Sequence, residues 1–130
     1  MWILHLGYIW LPVGLLLLAV AQVEITSETA GIHALSTGAM ATMILAVMSR
    51  ASLGHTGRAL IASREITASY ILITVAAVTR VQAALSIGDG RVALAVAGAA
   101  WFGAFGLFLF RYGPILCAPR LDENTKEGQA

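Results

Sequence analysis

Long apolar blocks separated by short polar breaks organise this chain. Trp2–Val23, Ala30–Ser49, Ile66–Ile87 and Val92–Phe110 carry few or no charged side chains. Each is long enough, or nearly so, for a helix rising roughly 1.5 Å per residue to cross a hydrocarbon core roughly 30 Å thick. Between them lie EITSET, RASLGHTGRALIASRE and GDGR. The bilayer core offers no water to exposed backbone groups, so open strands are excluded and the pattern predicts a helical bundle. Short first and third connections make helices 1 and 2 one antiparallel hairpin and helices 3 and 4 another. The reading is an all-α polytopic membrane protein. Its transmembrane domain spans residues 1–113, with helices at about 2–23, 28–50, 64–87 and 91–112, and a cytoplasmic tail covers 114–130. The charged, apolar-poor sequence RLDENTKEGQA predicts disorder in that tail.

Composition narrows the class further. The 130 residues are 58% hydrophobic and 12% charged, with mean hydropathy +0.82, where a soluble domain carries about a quarter charged residues. A net charge of +1 excludes a strongly basic nucleic-acid binder. The lone Cys117 leaves no internal disulfide, no CxxC pair and no CxxCH site for covalently attached haem. Trp2–Val23 lacks the basic start of a signal peptide and exceeds its usual apolar length, so it reads as a retained helix. Arg50, Arg58 and Arg64 fall in the middle connection and Arg111, Arg120 and Lys126 on the C-terminal side. Glu24, Glu28 and Asp89 lie opposite, with Arg91 as the only loop cation there. The positive-inside rule then places both termini and the HTGR loop in the cytoplasm.

Small residues recur at helical spacing: Ala34, Gly38, Thr42 and Ala46 on helix 2, and Ala95, Ala99 and Gly103 on helix 4. Such stripes allow backbones to approach closely in lipid. Arg80 has Ala76, Ala77, Ala83 and Ala84 within one turn, which predicts that it faces the bundle; the alternative is snorkelling towards the near surface and pairing with Glu24 or Glu28. Trp2, Tyr8, Trp10, Trp101 and Tyr112 near helix ends read as an interfacial aromatic belt.

Histidines carry the candidate chemistry. His5 starts helix 1 in line with Tyr8 and Pro12, and Pro12 should kink that helix. His33 lies near the outer start of helix 2, with Thr37 and Met40 expected on its face, and His55 lies in the basic loop. Helical rise separates His33 from the level of His5 by most of the membrane, so those two cannot share one haem. His5 and His55 lie on the same side and can share a site. An intramembrane imidazole is costly unless partnered, which makes each histidine a ligand candidate beside its structural reading. Met40, Met43 and Met48 offer thioethers to reduced copper but fit packing better. Ser52, His55 and Glu65 lack the nucleophile elbow of a hydrolytic set.

Three segments carry a resemblance: WILHLGYIWLPVGLLLL (Trp2–Leu18), HALSTGAMATMILAVMSRASLGHTGR (His33–Arg58) and RYGPIL (Arg111–Leu116). In order and spacing they resemble the last part of NnrS family proteins, polytopic bacterial membrane proteins associated with haem, copper and the response to nitric oxide, often alongside denitrification. Ser36 and Ser49 stand where the family pattern has threonines. Family members are longer, so the resemblance presents this chain as a C-terminal part and implies partners in missing N-terminal helices or a second copy. It makes His5, His33 and His55 candidate haem b or copper ligands and Arg58 and Arg80 candidate partners of haem propionates. It implies protection against nitrosative stress, a bacterial inner-membrane location and nitric oxide as ligand, bound or turned over. The alternative is a cofactor-free helical bundle acting as a transporter portion or assembly module.

Overall fold

The computed structural model describes residues 2–119 as four helices: α1 (Trp2–Ala21), α2 (Glu28–His55), α3 (Arg64–Ala84) and α4 (Gly90–Cys117). All four are long and apolar enough to cross a membrane, and the described residues contain no strand. Helices α1 and α2 form one hairpin, and α3 and α4 another. Helix α2 also packs on α3 and α4, which leaves α1 on the flank of a three-helix core.

Local chemistry explains where the helices begin and end. The Ser27 and Ser63 hydroxyls and the Asp89 carboxylate cap α2, α3 and α4 by accepting from Thr29 N, Ile66 N, and Arg91 N and Val92 N respectively. Helix α2 continues past the expected boundary at residue 50, through RASLGH, and stops at Gly57. There the Arg58 N–H donates to Leu53 O at 2.9 Å and the Gly57 N–H to Gly54 O at 3.3 Å, a closure that places Gly57 at φ +68°. Only a residue without Cβ takes that conformation freely, so the glycine of HTGR is a helix stop. Helices α1 and α3 end earlier than expected, at Ala21 and Ala84.

The expected tail is corrected at its start. Helix α4 passes through Pro114 and ends at Cys117, because a proline this near a helix end disturbs few backbone bonds. The rest of that tail, from Arg120 to the end, including Lys126, lies outside the described residues.

The two ends of the bundle are packed differently. At the end carrying His5, the HTGR loop and Arg111, here called the basic end, Ile3, Leu45, Ile66, Tyr70, Phe108 and Tyr112 form a core of large side chains. At the opposite end Ala30, Ala34, Ala76, Ala77, Ala93 and Ala97 are buried. Between α1 and α2, glycines on each helix receive side chains from the other. A Cβ on Gly7 would meet Met43 Cγ at 2.9 Å, on Gly14 the Leu35 side chain at 2.6 Å, on Gly31 Leu18 Cγ at 2.6 Å, and on Gly38 Trp10 Cδ2 at 2.5 Å. Lipid supplies no hydrophobic drive for helix association, so this close fit is what holds the hairpin together. Between α3 and α4 the Ser69 hydroxyl donates to Ala104 O at 2.5 Å, tying the helices at mid-depth.

Helix α2 is not uniformly wound. From Ala34 to Met40 it is a π-helix, and the Ala41 N–H reaches back five residues to Ser36 O. Such wide turns are rare and frequent at functional sites. This one changes the phase of the residues after His33. Thr37 points to α3 and α4, where it shares a recess with Arg80, while Met40 is 61% exposed. The expectation that Thr37 and Met40 share one face assumed α-helical spacing and is corrected here.

Candidate functional site

The candidate site is built where the π segment of α2 crosses α3 and α4. Arg80 lies one turn before the end of α3, and Ala76 and Ala77 beside it are fully buried. It faces the bundle, as its alanine surroundings predict. Arg80 lines a recess of about 210 Å³ together with Thr37, Leu94, Ala97, Gly98 and Trp101. His33 is half-buried one turn before Thr37, which shares that recess with Arg80. An ion pair joins Arg111 and Glu65 at 3.8 Å at the basic end, and none is formed by Arg80 among the described residues. Arg80 therefore has no carboxylate partner there, and the alternative pairing with Glu24 or Glu28 is not made. Glu28 instead accepts from Gln22 Nε2 at 3.3 Å.

His5, His55 and Arg58 lie at the opposite, basic end. His5 is exposed on the first turns of α1, sharing an outward face with Tyr8 and Pro12, and His55 is the exposed last residue of α2. Arg58 is half-buried, and its Nη1 is enclosed without a hydrogen-bond partner. A buried N–H donor left unpaired is costly, and an anionic oxygen would satisfy it. Nearby, a recess of about 110 Å³ is lined by Trp2, Ser49, Arg50, Tyr70 and Tyr112, with Ser49 Oγ and Tyr70 Oη hydrogen-bonded at 2.5 Å. The structure thus brings His33 and Arg80 together and keeps them apart from His5, His55 and Arg58.

Several expectations change on contact with the packing. Tyr112 is 2% exposed and stacks on Phe108 at 4.9 Å, so it belongs to the core and not to an aromatic belt. Trp10 packs its ring over Gly38, with Nε1 buried and unpaired. Trp2 packs edge-on against Tyr70, and Trp101 tilts against Phe105 while walling the Arg80 recess. On α4 the residues at the recess are Leu94, Ala97, Gly98 and Trp101, a run at helical spacing (i, i+3, i+4, i+7). Ala95 and Ala99 of the stripe read from sequence face outward. That first run was the available signal for Gly98 and Trp101.

An all-helical bundle of four apolar helices long enough to cross a membrane, with an arginine facing inward from one of them, is a polytopic membrane protein. A family model described as NnrS protein matches residues 1–120, and the chain belongs to the NnrS family. No curated protein and no solved structure matches it.

The resemblance implies copper and haem, and the donor set suits them unequally. Among the described residues no three His, Cys, Asp or Glu side chains are grouped to hold a metal ion, so these residues do not assemble a complete copper site. Haem asks for less. His33 can offer one imidazole from inside the bundle, and Arg80 beside it, or the unpaired Arg58 nitrogen at the other end, suits a propionate.

Proposed function

We propose that the chain is part of an NnrS-like haem- and copper-associated membrane protein that serves the response to nitric oxide and protects against nitrosative stress. The family match over residues 1–120 carries this reading, and the placement of His33 one turn before Thr37, which shares a recess with Arg80, supports it. His33 would hold the iron of a bound haem, and Arg80 would balance the charge of its carboxylates. Bound b-type haem would supply an iron able to take nitric oxide as ligand. His5, His55 and Arg58 form the second candidate group at the basic end. Copper ligands and a second imidazole come from missing helices or a second copy, because three histidines divided between two membrane faces do not complete such sites.

An absorption spectrum of the detergent-purified protein tests the reading. A Soret band is expected; its absence after haem reconstitution leaves the cofactor-free bundle.

The protein is further proposed to sit in the bacterial inner membrane with both termini and the HTGR loop in the cytoplasm, on the strength of Arg50, Arg58, Arg64 and Arg111 at one end. Reporter fusions after Glu28 should read periplasmic and those after Gly57 cytoplasmic. A periplasmic signal at Gly57 overturns the orientation.

A further inference from the structure

A guanidinium held inside a membrane bundle calls for a counter-charge, and Arg80 has none among the described residues. The acidic groups at its end of the bundle are otherwise engaged or do not reach it. Asp89 caps α4, Glu28 accepts from Gln22, and Glu24 is exposed in the connection after α1. The negative end of α3, one turn away, offsets part of the charge. His33 adds no negative charge.

The recess in front of Arg80 has a second unused donor. The hydroxyls of Thr56, Thr67, Thr74 and Thr79 each donate to the carbonyl four residues back. The Thr37 hydroxyl, inside the π segment, makes no hydrogen bond among the described residues, and Thr37 lines the recess. Across from it, a Cβ on Gly98 would meet nothing within 4 Å, so the missing side chain keeps the space open. Leu94, Ala97 and Trp101 close the remainder with apolar surface. At about 210 Å³ the recess is smaller than the roughly 300–1,000 Å³ typical of sites for larger ligands.

We propose that this recess binds a planar, singly charged oxyanion of the carboxylate or nitrate type, held by the fork of Arg80 and the hydroxyl of Thr37. The flat guanidinium matches two coplanar oxygens, which a spherical halide does not offer. Such an anion is either free in solution or the carboxylate arm of a larger bound molecule. The second source rests on the haem reading above, whereas the first does not.

The test is the melting temperature of the detergent-purified chain at constant ionic strength, with chloride replaced stepwise by nitrate or acetate. A free-anion site gives a saturable rise. Arg80→Gln removes that rise, Arg80→Lys weakens apparent affinity about tenfold, and Gly98→Val removes it with the charge retained. Arg111→Gln, at the other end, leaves it unchanged. If Arg80→Gln does not fold, Thr37→Val and Gly98→Val carry the comparison. In a second arm, haem with free propionates is compared with its dimethyl ester. Retention that depends on both the free acid and Arg80, without any effect of nitrate or acetate, assigns the site to a carboxylate arm. Neither response, or the same response in Gly98→Val and Arg80→Gln as in the parent, overturns the proposal.

Discussion

Gly38→Ala should separate α1 from α2 and cost about 1–3 kcal/mol, the usual penalty for forcing extra volume into a filled core. The added methyl would lie 2.5 Å from Trp10 Cδ2 and 2.7 Å from Cγ, atoms of a rigid ring near its attachment point that cannot swing aside as a flexible chain end would. Relief requires the backbones to move apart, and that loosens the neighbouring contacts of Leu35 with Gly14 and Leu18 with Gly31. Gly106→Ala on α4 is the control, since nothing lies within 4 Å of its added methyl. It should be neutral or stabilising by up to about 1 kcal/mol through helix propensity. Reversible unfolding of the purified chain measures both. Equal stabilities for the two variants would show that the glycine contacts do not hold the hairpin. Pairing Gly38→Ala with Trp10→Leu should restore part of the loss, because the two positions share one contact.

The four spans were legible because lipid leaves helices as the economical answer to long apolar runs, and the runs are broken where charges and glycines cluster. The inward aim of Arg80 was legible from its alanine neighbours. Less visible was everything that depends on which face meets which helix. The π winding from Ala34 to Met40 shifts phase within an otherwise ordinary apolar stretch, and no residue in ALSTGAM announces it. The pairing of Gly7 and Gly14 with Met43 and Leu35 depends on the register of two helices, which composition does not encode. Tyr112 looked interfacial because it stood at the expected end of helix 4, yet α4 runs on to Cys117 and buries its ring. For the candidate site, sequence separated His33 from His5 by depth alone and aimed Arg80 into the bundle. The run of Leu94, Ala97, Gly98 and Trp101 at helical spacing was there to be read, but the small-residue stripe chosen on helix 4 passed Gly98 by.

The division of the bundle has a consequence for any bound group. Large side chains form the core of the basic end and leave a recess of about 110 Å³, whereas alanines and glycines at the other end let backbones approach and leave one of about 210 Å³. A recess remains where the π segment displaces Thr37 from a regular helical position. The openness at Arg80 follows from backbone winding and small side chains together, and for that reason a single bulky side chain there should abolish it.

His33→Ala should eliminate the Soret band if iron is held at the Arg80 end. The half-buried imidazole is the one histidine inside the bundle, and one turn on from it Thr37 shares a recess with Arg80, a partner for a haem carboxylate. Removing a sole protein ligand leaves iron without its protein bond, a loss that neighbouring side chains cannot repair, since no grouped His, Cys, Asp or Glu set exists among the described residues. His5→Ala and His55→Ala should retain the band, because both side chains are exposed at the opposite end. Arg80→Gln should keep the iron ligand and weaken haem retention, or shift its reduction potential, through the lost positive charge. The variants are compared in the haem-reconstituted protein by Soret absorbance per polypeptide, with circular dichroism confirming that each remains helical. Loss of the band in His5→Ala or His55→Ala with retention in His33→Ala would move the iron to the basic end, beside the unpaired Arg58 nitrogen. An unchanged band in all three would assign the histidines structural roles only.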